Sequence, residues 1–167
     1  TLNSIDILNA QIYTWKNNIA LDIFEVTPPP DQLFEDEKWA RVAEHLQLAL
    51  SGEMHLSEAL DKKMSGYGSV KPHISERPHK IIVDNKSSSF FTIIEVFTYD
   101  FPGLLFKLTD ALFRCALDVR VAKIATKIDQ VVDVFYVRDF NGDKKVDSSE
   151  QEAEIKAAIE KVLPNLP

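Results

Sequence analysis

An internal repeat constrains the fold of this chain more than any other feature of its sequence. Residues 5–14 match residues 117–126, and residues 22–26 match residues 133–137 after a shift of one position. The shift falls in the polar segments between the matched blocks, where a hairpin turn tolerates an insertion. Similarity over so many ordered positions indicates two copies of one structural unit.

Each copy is predicted to contain a β-hairpin followed by a helix. In the first copy the spacing of apolar residues predicts a helix over about residues 33–50, and in the second over about residues 149–163. The second helix has two candidate capping boxes at its start, Ser148 with Gln151 and Ser149 with Glu152.

A strand and a helix precede the second hairpin. Residues 92–98 are rich in β-branched and aromatic residues, which favour a strand. Asp100 is predicted to cap the following helix, with Pro102 and Gly103 in its first turn. The apolar face of that helix is predicted from side chains at helical spacing: Leu104, Leu105, Leu108, Ala111, Leu112 and Cys115.

The junction at residues 99–105 is the candidate functional site. A helix N-terminus presents N–H groups and a positive dipole end, which can bind a carboxylate or a phosphate. Gly103 has no Cβ, so a ligand could approach the backbone closely. The alternative is a strand-to-helix turn that only connects core elements.

The order strand, helix, strand, strand, helix predicts the α+β class and a ferredoxin-like βαββαβ unit that lacks its last strand. We expect two such units with antiparallel sheets and helices on one face. The first is expected to be truncated at its N-terminus, with residues 1–4 as a remnant ahead of its hairpin.

Residues 80–85, from Lys80 to Asn85, are a further predicted strand and could supply the missing one. A short polar connection joins them to the strand at 92–98, which favours an antiparallel hairpin and a permuted edge strand of the second unit. The alternative is that they close the first unit. The expected organisation is a partial first unit over 1–52, a linker over 53–79 and a second unit over 80–167.

Composition excludes several classes of function. The chain has 167 residues and a net charge of −7, which disfavours nucleic-acid binding. Its single cysteine rules out an internal disulfide and favours a reducing, cytoplasmic location. The sequence has no apolar run long enough to span a membrane, and no metal site or cofactor is expected.

Other candidate sites have simpler explanations. Residues 139–150 resemble a calcium loop in their spacing of acidic and amide groups, but Lys144 stands where the sharp turn needs glycine, so a solvated turn is expected. The four histidines lack ligand spacing and are expected on the surface or in the linker. Asp22 and Asp133 recur at one strand position; a catalytic carboxylate is one interpretation, and a hydrogen-bonded aspartate at a strand end is the favoured one.

Two sets of residues carry a family resemblance. Residues 100–105, Asp-Phe-Pro-Gly-Leu-Leu, resemble the Asp-Arg-Pro-Gly-Leu-Leu signature of ACT domains, which sense small molecules. The hairpin patterns at 10–24 and 124–137 are similar to the paired C-terminal ACT domains of the bacterial PII-protein uridylyltransferase/uridylyl-removing enzyme. Phe101 stands where that family usually has an arginine, so a contact made by the arginine is not carried over.

The resemblance implies a regulatory region that senses an amino acid, with glutamine the expected ligand, and a fragment without catalysis of its own. The implied partners are the amino acid, the catalytic domains of a parent chain and a second copy through the ACT sheets. The implied ligand-binding residues are Tyr99, Asp100, Phe101, Pro102, Gly103, Leu104 and Leu105, acting through backbone groups. The alternative is a structural or dimerisation module that binds no ligand.

Overall fold

The computed structural model describes residues 2–15, 19–28, 32–66, 78–127, 130–141 and 143–164. Its strands are β1 (Ile7–Thr14), β2 (Ala20–Val26), β3 (Lys80–Asp84), β4 (Thr92–Thr98), β5 (Leu117–Lys127) and β6 (Gln130–Asp139). Its α-helices are α1 (Glu35–Ser51), α2 (Leu56–Gly66), α3 (Leu104–Arg114) and α4 (Ser149–Val162), and a short 3-10 helix (Gln32–Phe34) leads into α1.

The strands form one sheet in the order β2-β1-β5-β6-β4-β3. The pairs β1/β5, β5/β6, β6/β4 and β4/β3 are antiparallel, which confirms the α+β, ferredoxin-like prediction. The sequence suggested separate sheets for the two copies, whereas β1 of the first copy pairs directly with β5 of the second. This pairing satisfies backbone groups along β5 that would otherwise form an exposed sheet edge.

The second copy has the strand order β5-β6-β4-β3 within this sheet. The antiparallel hairpin expected for residues 80–85 is present, with Ile82 opposite Glu95. Its connection begins with a side-chain turn, because Asp84 Oδ1 accepts hydrogen bonds from the backbone N–H groups of Lys86 (2.6 Å) and Ser87 (3.1 Å). Strand β3 therefore lies beside β4, where the fourth strand of a ferredoxin-like unit belongs.

One face of the sheet carries the core of the second copy. On β6 every second side chain is buried (Val131, Asp133, Phe135 and Val137), and so are their opposite neighbours on β4 (Thr98, Val96, Ile94 and Thr92). Alternation of this kind is expected when one face of a strand meets a packed layer. Helices α3 and α4 supply the buried side chains Leu104, Leu108, Ala111, Leu112, Ile155 and Ile159.

Helix α4 begins where the sequence predicts. Ser148 is the N-cap, and its side chain accepts a hydrogen bond from the backbone N–H of Gln151 at 3.0 Å. The side-chain amide N–H of Gln151 donates to Asp139 Oδ2 at 3.0 Å. This hydrogen bond links the first turn of α4 to the end of β6.

The compact units of the chain do not follow its sequence order. One unit comprises residues 1–7 and 26–72, and the other comprises residues 8–25 and 73–167. The hairpin of the first copy falls in the second unit because β1 extends that unit's sheet. The division into 1–52, 53–79 and 80–167 therefore describes the repeat and stays a prediction.

The first unit contains α1 and α2. In it His45 Nδ1 and Asn3 Oδ1 lie 2.8 Å apart, and Lys63 Nζ donates to the carbonyl of Leu2 (2.7 Å) and to Ser4 Oγ (2.8 Å). No described residue of α1 is fully buried: on its predicted apolar face Val42 is half-buried, and Leu46 and Leu50 are exposed. Helix α2 replaces part of the expected linker; residues 67–77 of that linker lie outside the described residues.

Candidate functional site

The junction between β4 and α3 is a tight turn of four residues. The backbone N–H of Leu104 donates to the carbonyl of Phe101 at 3.1 Å, and Gly103 has φ 85° and ψ 5°. Pro102 and Gly103 therefore occupy the second and third positions of a type II turn, where proline and a residue with positive φ are favoured. The conformational preferences of a type II turn are therefore sufficient to explain the Pro-Gly pair.

The predicted cap was wrong. Helix α3 begins at Leu104 with Gly103 at the N-cap, and glycine has no side chain that could make a cap hydrogen bond. Asp100 is not the N-cap, and Pro102 precedes the helix, because the Phe101–Leu104 hydrogen bond closes the turn before helical geometry starts. The first turn of α3 contains no acidic residue.

The seven predicted site residues fall into three groups. The side chains of Tyr99 and Leu104 are buried in the core. Phe101, Gly103 and Leu105 are half-buried, while Asp100 and Pro102 are exposed. A ligand at this turn would therefore contact the half-buried and exposed residues of the segment and the backbone at the start of α3.

Aromatic rings line one side of the turn. His79 and Tyr99 have ring centroids 5.2 Å apart, and Tyr99 and Phe101 have centroids 6.1 Å apart. Lys107 Nζ lies 5.5 Å from the centroid of the Phe101 ring, a cation–π distance. A positive charge is therefore present at the turn although Phe101 itself carries none.

Asp133 is the residue whose position the sequence did not predict. Its side chain is 1% exposed, and neither carboxylate oxygen has a hydrogen-bond partner among the described residues. It lies opposite Val96 on β4 and Ile124 on β5, on the face covered by the helices. Burial raises the pKa of this carboxyl to about 7, and the negative charge of Asp100 contributes in the same direction.

The favoured interpretation of Asp133, a hydrogen-bonded aspartate at a strand end, was wrong. The residue lies within β6, its oxygens are unpartnered, and its electrostatic neighbour is Asp100 of the turn. Asp22, its counterpart in the repeat, is exposed on β2. A charged residue at the same alternating position as Val131, Phe135 and Val137 was the signal available in the sequence.

The acidic groups of the suspected calcium loop have other partners. Asp143 Oδ1 lies 3.2 Å from Arg138 and 3.4 Å from Arg120, and Lys144 Nζ donates to Asp147 at 2.6 Å. Gly142, part of the expected turn, lies outside the described residues. Among those that are described, no cluster of three or more potential metal ligands occurs.

His79 was expected on the surface or in the linker, and it lies immediately before β3, at the end of the predicted linker. It is half-buried, Nδ1 lies 2.9 Å from Thr98 Oγ1, and Nε2 lies 2.9 Å from the carbonyl oxygen of Pro164. It therefore joins the end of β4 to the end of α4. Over the described part of the chain, no helix is long and apolar enough to cross a membrane.

Bifunctional uridylyltransferase/uridylyl-removing enzymes are similar to this chain in sequence. Those of Nitrobacter hamburgensis, Azospirillum brasilense and Rhodospirillum rubrum are 35%, 36% and 34% identical to it over 162, 139 and 163 residues. These matches cover 96%, 82% and 97% of the chain. The chain is homologous to one segment of these enzymes.

The chain spans 17%, 15% and 17% of the length of the three uridylyltransferase/uridylyl-removing enzymes. The predicted resemblance to these enzymes is confirmed by the matches, which extend far beyond the Pro-Gly turn. No family model matches the chain, and no solved structure matches it.

Proposed function

We propose that this chain is a cytoplasmic regulatory region with tandem ACT organisation that binds a free amino acid at residues 99–105. Glutamine is the first candidate ligand. The region acts on catalytic domains like those of uridylyltransferase/uridylyl-removing enzymes and has no catalytic site of its own. The observation that carries the proposal is the N-terminus of α3, whose first turn contains no acidic residue.

The start of α3 suits a carboxylate. In a helix the first-turn N–H groups, here including those of Leu105 and Phe106, have no helical carbonyl one turn earlier, and the dipole is positive at this end. The absence of an acidic residue from the first turn means that no side chain on it competes for these donors. A ligand carboxylate would supply the missing acceptor.

The neighbouring groups suit a small ligand with an apolar part. The half-buried Phe101 and Leu105 flank the first turn, and Lys107 adds a positive charge beside the Phe101 ring. A ligand of this size held by a few hydrogen bonds binds with about micromolar to millimolar affinity, roughly −8 to −4 kcal/mol. Such affinity suits a sensor of a free metabolite.

A titration with the twenty amino acids, followed by backbone amide NMR, tests the proposal. Binding should shift the amides of Tyr99, Leu105 and Phe106 before those of α4. Glutamine is expected to give the largest effect at the lowest concentration. No binding by any of the twenty would overturn the proposed function.

A matched pair of variants tests the role of the helix start. Leu105→Asp adds a negative charge beside the expected carboxylate, whereas Leu105→Asn has nearly the same shape without the charge. The aspartate variant should bind at least about tenfold more weakly than the asparagine variant, because the added carboxylate and the ligand's carboxylate repel each other. Equal affinities would place the ligand's carboxylate elsewhere.

Gly103→Val, the substitution that the sequence suggests, is a poor test. A Cβ at Gly103 would meet nothing within 4 Å, but the φ of +85° makes any L side chain strained there. A distorted turn and a blocked approach path for the ligand would both abolish binding by that variant, so loss of binding would not distinguish them.

A second candidate function is pairing of two copies through the sheet, without a ligand. The apolar side chains of Leu21, Ile23 and Phe24 on β2 are exposed among the described residues, and a patch of this kind can serve as an interface. Sedimentation of the purified chain with and without glutamine separates the two. A stable dimer that binds no amino acid would favour the pairing module.

The absence of catalysis is tested by assay. The sequence has no nucleophile–histidine–carboxylate order and no phosphate-binding loop. The purified chain should therefore neither transfer uridylyl groups nor remove them. Turnover in either direction, proportional to the concentration of the chain, would contradict the proposal.

A further inference from the structure

The sheet of the second copy has apolar side chains on both of its faces. Helices α3 and α4 cover one face, where Phe135 of β6 is buried. On the other face, called the outer face here, β6 presents Val132, Val134 and Tyr136, which are half-buried. An antiparallel sheet with one face in water usually carries polar residues on that face. The outer face of β6 therefore has the composition expected of a strand that a second layer covers.

The strands on either side of β6 extend this apolar surface. The residues opposite Val132 and Tyr136 are uncharged on both neighbouring strands: Phe97 and Ile93 on β4, and Ala125 and Val121 on β5. The ring of Phe91 also lies edge-on to that of Tyr136, with centroids 6.1 Å apart. A continuous apolar patch on a sheet surface is typical of a protein–protein interface.

Two opposite charges flank the centre of the outer face. Val134 lies opposite Glu95 on β4 and opposite Lys123 on β5, so the three side chains project from the same face. Neighbouring strands are about 4.8 Å apart, which places the backbones of Glu95 and Lys123 about 10 Å apart with Val134 between them. Lys123 Nζ lies 5.5 Å from the centroid of the Tyr136 ring, so its charge stays over this face.

This charge pattern is complementary to itself in one orientation of two facing sheets. A two-fold axis that runs along β6 places β4 of each copy over β5 of the other, so each Glu95 faces a Lys123. A two-fold axis perpendicular to the strands would place each Glu95 over Glu95 and each Lys123 over Lys123, which like-charge repulsion disfavours. Packed sheets lie about 10 Å apart, a gap that glutamate and lysine side chains from the two sides can bridge.

We propose that two copies of this chain dimerise through the outer face, with a two-fold axis along β6 and two symmetric contacts between Glu95 and Lys123. The same patch then serves both copies, as in other isologous dimers. The apolar centre is removed from water, and the charged pairs fix the orientation of the two sheets. The inference does not depend on the amino-acid site, and the surface differs from the exposed side chains of β2.

Sedimentation equilibrium of the chain and of charge-reversal variants tests the dimer. Glu95→Lys would place lysines opposite each other in the dimer, and Lys123→Glu would do the same with glutamates. Each variant should therefore dimerise at least about tenfold more weakly than the unmodified chain. Glu154→Lys and Lys161→Glu are the matched controls, because these residues are exposed on α4, the helix that covers the opposite face. The controls should dimerise as the unmodified chain does.

A mixture of the two weakened variants gives the sharpest test. When a Glu95→Lys copy meets a Lys123→Glu copy, every facing pair is again a lysine with a glutamate, so the mixture should recover dimers that neither variant forms alone. Recovery also shows that both variants are folded. A mixture of Glu154→Lys with Lys161→Glu involves the same changes of net charge, and its mixed dimers should be no tighter than those of either variant alone.

Three outcomes would overturn the inference. A chain that stays monomeric up to about 1 mM has no such interface, and the outer face would then be covered by another segment or protein. A dimer that resists both reversals but is lost in Ile23→Asp is formed through β2. Failure of the mixture to recover dimers excludes the two-fold axis along β6. None of these outcomes affects the amino-acid titration, which tests the proposed function separately.

Discussion

Gln11 on β1 and Lys123 on β5 lie opposite each other, and the two copies of the repeat are arranged symmetrically about this pair. Gln11 and Lys123 are themselves equivalent positions of the repeat. On either side, Ala10 lies opposite Ile124 and Ile12 lies opposite Ala122, the same Ala–Ile pairing with the copies exchanged. The copies therefore meet as two subunits of an isologous dimer would.

A disulfide across the symmetric pair tests this register. In a Cys115→Ser background, Gln11→Cys with Lys123→Cys should cross-link on mild oxidation, because opposite Cβ atoms of an antiparallel pair lie about 4.5–5.5 Å apart. Gln11→Cys with Ala125→Cys is the control, since its diagonal Cβ atoms lie about 7–8 Å apart. Faster cross-linking of the control would show that the register is shifted.

Thr92→Val is expected to destabilise the second copy by about 1–3 kcal/mol, because it leaves buried polar groups unpaired. Thr92 Oγ1 accepts from the backbone N–H of Val146 at 2.9 Å and donates to Asn85 Oδ1 at 2.6 Å. Thr109→Val is the control, since Thr109 donates only to carbonyls of its own helix. Urea denaturation measures both, and equal losses would contradict the role of Thr92.

Gly103→Ala and Ala116→Gly should shift stability in opposite directions. Gly103 has φ 85°, so alanine there is expected to cost about 1–2 kcal/mol despite the open space around it. Ala116 has φ 54° just after α3, a conformation that glycine adopts without strain. Ala116→Gly should therefore raise the free energy of unfolding by about 0.5–1 kcal/mol, after subtraction of the larger backbone entropy that glycine loses on folding. Thermal melts compare them; a stable Gly103→Ala variant would exclude the type II turn.

Asp133 should make the stability of the protein depend on pH in an unusual direction. Its pKa of about 7 exceeds the ordinary value of 3.8, so the folded state holds a proton that the unfolded state loses. The contribution of Asp133 to the free energy of unfolding is therefore fully present at low pH. It falls by about 1.4 kcal/mol per pH unit between roughly pH 4 and pH 7, and does not change further at higher pH.

The comparison with Asp133→Asn isolates this effect. The free energy of unfolding of the unmodified chain should fall relative to that of the variant by up to about 4 kcal/mol between pH 4 and pH 8. Asp22→Asn, which removes an exposed carboxyl at the equivalent position of the repeat, is the matched control. Parallel pH curves for the unmodified chain and Asp133→Asn would show that Asp133 is ionised throughout.

Local patterns predicted the parts of this fold that local physics controls. The Ser148 cap and the β3–β4 hairpin follow from short-range geometry, and both are present. The pairing of β1 with β5 could not be predicted, because hydrophobic alternation shows which face is buried but not which edge finds a partner. The predicted cap at Asp100 failed because the Pro-Gly turn closed first.

The burial of Asp133 could not be predicted for a related reason. A lone carboxylate in an apolar strand is usually paired, and its isolation appears only when the neighbouring strands and helices are known. The register of β6 against β4 places it opposite Val96, on the buried face of the sheet.

The pairing of β1 with β5 joins strands separated by most of the chain's length. Contacts this remote form late, since a long loop must close before they add stability, and folding of the complete sheet is expected to be slow. Nothing in the pairing requires that both strands belong to one molecule. At high protein concentration the hairpin of one chain can add to β5 of another, so domain exchange is a further route by which this fold would oligomerise.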